Sequence, residues 1–370
     1  MYKNILVINL MHIGDLMLVT PILRTLRSNY PEARLTLLAD KKLRDLVEHN
    51  PHLDECLLID KKGEDDHFGS FLRFIQKVRA KHFDLVINLH RNERASALAA
   101  FSSAQRIVGY SKPGFSLFFS EVLPNKKAVE HQIESHFEVL EKTGIIDHRD
   151  DAGLEMTLPE EAEGKADRIW AETFSKEAKV IAFNIGASWA TKRWLPEYFA
   201  ACADEFIRRD YHIAFFGGPM DMEMVEHCLS LMQEKESDHL QIFTGKVSLG
   251  VLGGLLRHCV LFLTTDSGPM HVGTAMNVPI VTMFGASPVP GFYPYDAKDI
   301  LIKTPEPCHP CGIHECPKQG EDNLACMKKI PVETVMHYCW QLLDETAGRP
   351  AMALPRPDKF ECRVIDLGKR

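Results

Sequence analysis

The sequence predicts an α/β fold of two doubly wound domains facing across a cleft, and three observations lead there. Short apolar runs of strand length alternate with amphipathic helical stretches through the first half. The alternation lapses in the polar, acidic stretch 147–163 and then restarts. At 370 residues the chain is also too long for one ordinary core.

In order, 5–9 reads as a buried strand and 20–28 as a helix, with Ile22, Leu23 and Leu26 at helical spacing before Asn29-Tyr30-Pro31. Strands follow at 34–39, 56–59 and 84–89. Helices lie at 43–49 and at 68–80, where Phe71, Leu72, Ile75 and Val78 share a side. A helix over 130–144 ends at Gly144. After a helix near 166–174, strands are expected at 180–184, 212–216, 241–243, 260–263 and 279–284, with helices between them and a closing helix at 331–343. Short strands separated by helices imply parallel sheets with right-handed crossovers. The expected domains are 1–150 and 179–345, joined by a connection and leading helix at 151–178. Pro-rich, charged residues 346–370 form a loosely held C-terminal tail.

Composition excludes several classes. No apolar run approaches the roughly 18 residues of a membrane span, and the apolar start is too short for a signal peptide. The expected compartment is therefore cytoplasmic, with the ten cysteines as thiols or metal ligands. The net charge of −8 argues against non-specific nucleic-acid binding. It is uneven, since residues 1–125 are basic and the remainder acidic, so the first half is the better candidate for meeting an anionic partner.

The chemistry concentrates where strands end. In 261–271, Leu-Phe-Leu-Thr-Thr-Asp-Ser-Gly-Pro-Met-His, the strand 260–263 stops at Thr264-Thr265-Asp266, Asp266 or Ser267 caps, and Ser267-Gly268-Pro269 opens a helix through His271. Such a turn offers free backbone N–H groups to an anion, although an ordinary strand-to-helix turn reads alike. His12-Ile-Gly-Asp15 follows the first strand, where Asp15 is either a general base or a helix cap. After the strand at 180–184 come Gly186, Ala187 and Ser188, small enough for close approach of a ligand. Lys192 supplies a point charge for a diphosphate, against the alternative of a solvated loop residue. Phe216-Gly-Gly-Pro-Met-Asp221 is a third such turn, with Asp221 a ribose ligand or an N-cap.

Gly14-Asp15-x4-Thr20-Pro21, Gly186-x-Ser188-x3-Lys192-x-Trp194, Gly217-Gly218-Pro219-x-Asp221, Gly245-Lys-Val-Ser-Leu249 and Asp266-Ser-Gly-Pro-Met-His271 run in one order to about residue 345. In that order and spacing the chain resembles the glycosyltransferase family 9 heptosyltransferases of lipopolysaccharide core assembly, and its opening segment is most similar to the heptosyltransferase III type. The resemblance implies a GT-B architecture of two Rossmann-like domains, the first binding acceptor and the second the nucleotide-sugar donor. It implies inverting transfer from ADP-heptose to a sugar hydroxyl of the lipid A–core oligosaccharide, with no cofactor required. The enzyme would be peripheral on the cytoplasmic face of the inner membrane. Carried over by position, Asp15 is the base, Ser188 and Lys192 hold the diphosphate, Asp221 meets the ribose and Val247 the adenine. Asp266 binds the heptose, with Ser267, Gly268 and His271 close by. Asp221 departs from the family's Glu and has shorter reach.

Two further features stand apart. Cys308-x2-Cys311-x4-Cys316-x9-Cys326 suits either a structural Zn site or reduced, loop-stabilising thiols. Arg91, Arg94, Arg106, Lys112, Lys126 and Lys127, with Phe115, Phe118 and Phe119, form either a surface for a phosphorylated, membrane-held acceptor or a solvated face. Arg91 and Arg94 are the acceptor-binding candidates. The rival functions are another GT-B transferase using a UDP- or GDP-sugar, a UDP-sugar 2-epimerase, and a non-catalytic nucleotide-sugar-binding protein.

Overall fold

A computed structural model describes residues 2–126 and 128–368, and the chain divides into two compact units, Met1–Thr157 and Leu158–Arg370. The first unit holds β1 (Asn4–Ile8), β2 (Arg34–Asp40), β3 (Glu55–Ile59), β4 (Leu85–Asn88), β5 (Arg106–Gly109) and β6 (Glu121–Val122), ordered β3-β2-β1-β4-β5-β6. Every pairing is parallel. The order reverses between β1 and β4. At such a switch point the loops leaving two adjacent strands diverge and open a crevice at the carboxyl edge.

The second unit holds β7 (Val180–Asn184), β8 (His212–Phe216), β9 (Leu240–Ile242), β10 (Leu261–Thr265), β11 (Ile280–Phe284), β12 (Ile300–Lys303) and β13 (Arg363–Asp366). The order is β13-β12-β11-β10-β7-β8-β9, again all parallel. Its switch point lies between β7 and β10. Both strands are buried along their whole length, as parallel strands covered on two faces must be. The core on one face is rich in aromatic rings, with Phe183 packed against Phe199, Phe206 and Phe215.

Most expected elements form within a residue or two of their predicted bounds, and 180–184 and 212–216 match outright. Four differences have physical causes. Strands β5, β6 and β12 and the helix Glu93–Ala100 were not anticipated, because each is short and its sequence carries little periodicity. The helix expected near 166 begins at Glu160, where Pro159 precedes three acidic residues in the first turn that suit the positive helix end. That helix packs on Leu249–Leu256, with Gly254 so close to Ala166 that an added Cβ would stand 2.5 Å from the Ala166 methyl. The unit boundary therefore falls at 157/158, ahead of the helix.

The tail is the fourth difference, and it is not loosely held. Asn277 donates to the carbonyls of Ala351, Leu354 and Pro355, Cys362 is buried, and Arg363–Asp366 adds an edge strand to β12. Its Pro-rich composition concealed a four-residue pairing that only the neighbouring strand makes favourable. Among the described residues no helix is long and apolar enough to cross a membrane.

Candidate active site

In the first unit, Asp15 lies in the opening turn of the short helix Ile13–Met17, just beyond β1 and so at the switch point. Asn9 anchors the loop: its Oδ1 accepts from Met11 N–H at 2.9 Å, and its amide donates to the Asp15 carbonyl at 3.4 Å. The Asp15 carboxylate is half-buried. Across the switch, β4 ends at Asn88, whose amide donates to the Tyr110 and His90 carbonyls and shapes the loop that carries His90 and Arg91. Burial, with smaller contributions from Lys61 and His12, holds the His90 imidazole down to about 4, so it is neutral at pH 7.

The two acceptor candidates part company here. Arg91 is exposed and donates to the Ser111 carbonyl at 3.3 Å. Arg94 is committed to the fold, bonding the Lys61 carbonyl and Asp66 and lying 5.4 Å over the Phe71 ring. Arg106, Lys112 and Lys126 pair with Glu121, Glu93 and Glu138, and Lys127 lies outside the described residues. Much of the basic stretch is thus internally neutralised.

The second unit gathers more. Asn184, the last residue of β7, donates to Gly186 O at 3.0 Å and to Ser267 Oγ at 2.9 Å, tying the loop after β7 to the loop after β10. Thr265 Oγ1 donates to the same Gly186 carbonyl at 2.8 Å. Neither residue was anticipated; the signal was a polar side chain closing an otherwise apolar strand. Lys192 Nζ stands 3.1 Å from Asp266 Oδ2, with Asp266 4 % exposed, so a cation and a buried carboxylate meet at the switch point. Ser267 caps the helix Gly268–Ala275, whose first backbone N–H groups lie at the same edge. His271 is buried on that helix. Ser188 is exposed on the loop after β7, and Val247 is half-buried just before the helix Leu249–Leu256.

Asp221 is turned onto its own loop. Its carboxylate accepts from Gly218 N–H at 2.8 Å, and burial raises its pKa. The position of Gly186 is tight for the same reason, because an added Cβ would stand 2.1 Å from Asp221 Oδ1. Gly186→Ala is expected to destabilise the chain by about 1–3 kcal/mol through this overlap. A urea-unfolding midpoint equal to the parent's would show that the two loops are not packed in this way.

His271 yields a second stability prediction. Burial, then the Lys192 ammonium, holds its imidazole down to about 3. The unfolded imidazole titrates near ~6.5. Between those values the unfolded state binds the extra proton, so stability is intact above about pH 6.5 and falls as the pH drops toward 3. His271→Gln is expected to lose less stability than the parent between about pH 7 and about pH 5 in urea titrations; equal slopes would contradict a buried neutral imidazole.

The four cysteines Cys308, Cys311, Cys316 and Cys326 line one cavity together with Thr191 and Leu324. Burial and then the neighbouring thiols push the Cys326 thiol up to about 11, and Leu324 N–H donates to Cys316 Sγ at 3.4 Å. Yet among the described residues no group of three or more His, Cys, Asp or Glu side chains is arranged to hold a metal ion. The loop brings the four thiols around a common space, and the choice between structural Zn and reduced thiols stays open.

Two parallel-sheet units of alternating strand and helix, each with polar loops at its switch point, are two Rossmann-like domains of the GT-B class of fold. A family model described as glycosyltransferase family 9 (heptosyltransferase) matches residues 71–321, and the chain belongs to that family. It is 27% identical over 343 residues to lipopolysaccharide heptosyltransferase 3 of Escherichia coli K12, covering 90% of this chain and 96% of the relative. The solved glycosyl transferase family 9 protein of Veillonella parvula shares 34% identity at a TM-score of 0.81, covering 93% of this chain and 98% of that one. The structure of the ADP-heptose lps heptosyltransferase II of E. coli has a TM-score of 0.76 at 21% identity, covering 93% and 100%. The chain is a glycosyltransferase.

Proposed function

We propose that the enzyme transfers heptose from ADP-heptose to a sugar hydroxyl of the lipopolysaccharide inner core, inverting the anomeric centre in one displacement. Asp15 takes the acceptor hydroxyl proton as the acceptor oxygen bonds to the anomeric carbon. The bond from that carbon to the diphosphate oxygen breaks, and ADP leaves with the electron pair. Lys192, Ser188 and the N-terminal N–H groups of Gly268–Ala275 meet the growing diphosphate charge. Asp266 binds the heptose near Ser267, Gly268 and His271, Asp221 the ribose and Val247 the adenine. Arg91 meets the acceptor.

The observation that carries this reading is the Lys192–Asp266 pair at the β7/β10 switch point. A cation and a carboxylate there are matched to the phosphate and hydroxyl groups of one donor. The acceptor is the lipid A–core oligosaccharide, met with the chain peripheral on the cytoplasmic face of the inner membrane. Leu117, 90 % exposed, and Phe118, packed on Phe101 at 5.4 Å, support that contact.

The test is a thermal-shift titration with ADP, UDP and GDP. A ligand that binds only the folded chain adds about 2.7 kcal/mol at a hundredfold excess over Kd. Stabilisation by ADP alone is expected, followed by turnover of ADP-heptose on a truncated core acceptor. Stabilisation by UDP or GDP instead overturns the donor.

A further inference from the structure

The excursion between β12 and the helix Ala325–Lys328 looks like a loop that only shelters its cysteines, but it grips the turn that carries Lys192. Thr191 N–H donates to the His314 carbonyl at 3.3 Å, and Thr191 Oγ1 donates to the Ile313 carbonyl. The His314 imidazole stacks on the Trp189 ring, with centroids 4.2 Å apart and planes 27° from parallel. The other end of the relay is Lys192 Nζ, 4.7 Å from the centroid of the same Trp189 ring and 3.1 Å from Asp266. The excursion is itself fixed to the sheet edge by Gly312 N–H on the Ala286 carbonyl at 2.9 Å and by His309 on the Gly285 carbonyl. Gly285 faces Thr191 from the strand side, where an added Cβ would stand 2.7 Å from the Thr191 carbonyl oxygen. The turn Ala190–Lys192 is therefore held between the end of β11 and residues 313–314.

We propose that His314 is a positioning residue for the donor, setting the Trp189 ring on which the Lys192 ammonium rests. The inference builds on the reading that Lys192 binds the donor diphosphate. A lysine has a flexible four-carbon stem, and its point charge is directional only if something confines it. A ring face against the ammonium does so without neutralising its charge. His314 stacks on the same indole and keeps it from rotating away.

The experiment measures ADP affinity by calorimetry for the parent, His314→Ala, His314→Phe, Lys192→Ala and the His314→Ala/Lys192→Ala double variant. Expected is a loss of roughly fivefold to tenfold in His314→Ala, the scale of one cation–π contact. Recovery is expected in His314→Phe, which restores a stacking ring, and no further loss when His314→Ala is added to Lys192→Ala. In turnover assays KM for the donor rises while kcat changes little. Unchanged ADP affinity in His314→Ala alongside a weakened Lys192→Ala overturns the positioning role and leaves the Lys192 reading standing. Unchanged affinity in both removes the Lys192 reading itself. Additive losses in the double variant, or no recovery with Phe, also overturn the proposal. Should His314→Ala fail to fold, Trp189→Leu removes the middle of the relay and is expected to show the same loss, which Lys192→Ala again masks.

Discussion

Asp15→Asn is expected to lower kcat by about 10²- to 10⁴-fold, the usual worth of a positioned general base. Donor affinity should stay at the parent value. The argument is positional. Asp15 stands at the carboxyl end of β1, beside the reversal of strand order in the first sheet, whereas the donor candidates all belong to the second unit. The amide has nearly the shape of the carboxylate and keeps hydrogen-bonding groups in place, but it accepts no proton. Asn9 anchors the loop through the Asp15 backbone carbonyl, a contact that the substitution does not remove. Steady-state rates with ADP-heptose and a truncated core acceptor, paired with ADP calorimetry, separate the two effects. A variant with kcat within about threefold of the parent would remove Asp15 from the chemistry.

Lys192→Ala is expected to act twice. It takes a charged donor from the diphosphate, and a charge-assisted hydrogen bond of about 1.5–3 kcal/mol corresponds to roughly 10- to 150-fold in donor affinity. It also strands Asp266, 4 % exposed, without its cation. Breaking a buried pair from one side costs up to about 3–5 kcal/mol; the Lys192 side chain keeps 18 % exposure, which places the stability loss at the lower end. The two effects separate in Lys192→Ala/Asp266→Asn, which should regain thermal stability while ADP binding stays weak. If the double variant recovers ADP affinity together with stability, Lys192 acts only by neutralising Asp266 and not by touching the donor.

These predictions rest on a site whose parts were unequally visible. The turns after β1, β7, β8 and β10 were legible because parallel strands end abruptly and their capping residues are short and polar, as in Thr264-Thr265-Asp266-Ser267. The Lys192–Asp266 contact was not legible, for the two residues are separated by three strands and meet only because β10 returns to pair with β7. Asn184 and Thr265 were missed for a related reason, since each is an unremarkable polar residue until the two loops lie side by side. Arg94 looked available for the acceptor and proved committed to Asp66 and Phe71. Charge in a sequence carries no record of the partner the fold will give it.

The amino-acid sequence alone determined the alternation of strand and helix, the two-unit division, the family, and the polar turns that follow the key strands. Those are local facts: periodicity, caps and spacing, each written within a few residues. Only the tertiary structure decided which strand ends became neighbours and that the four cysteines line one cavity. It also decided that residues 363–366 join the sheet and that the 313–314 segment braces the Lys192 turn. These depend on contacts between residues far apart in the chain, where strand order and packing, rather than local propensity, set the free energy.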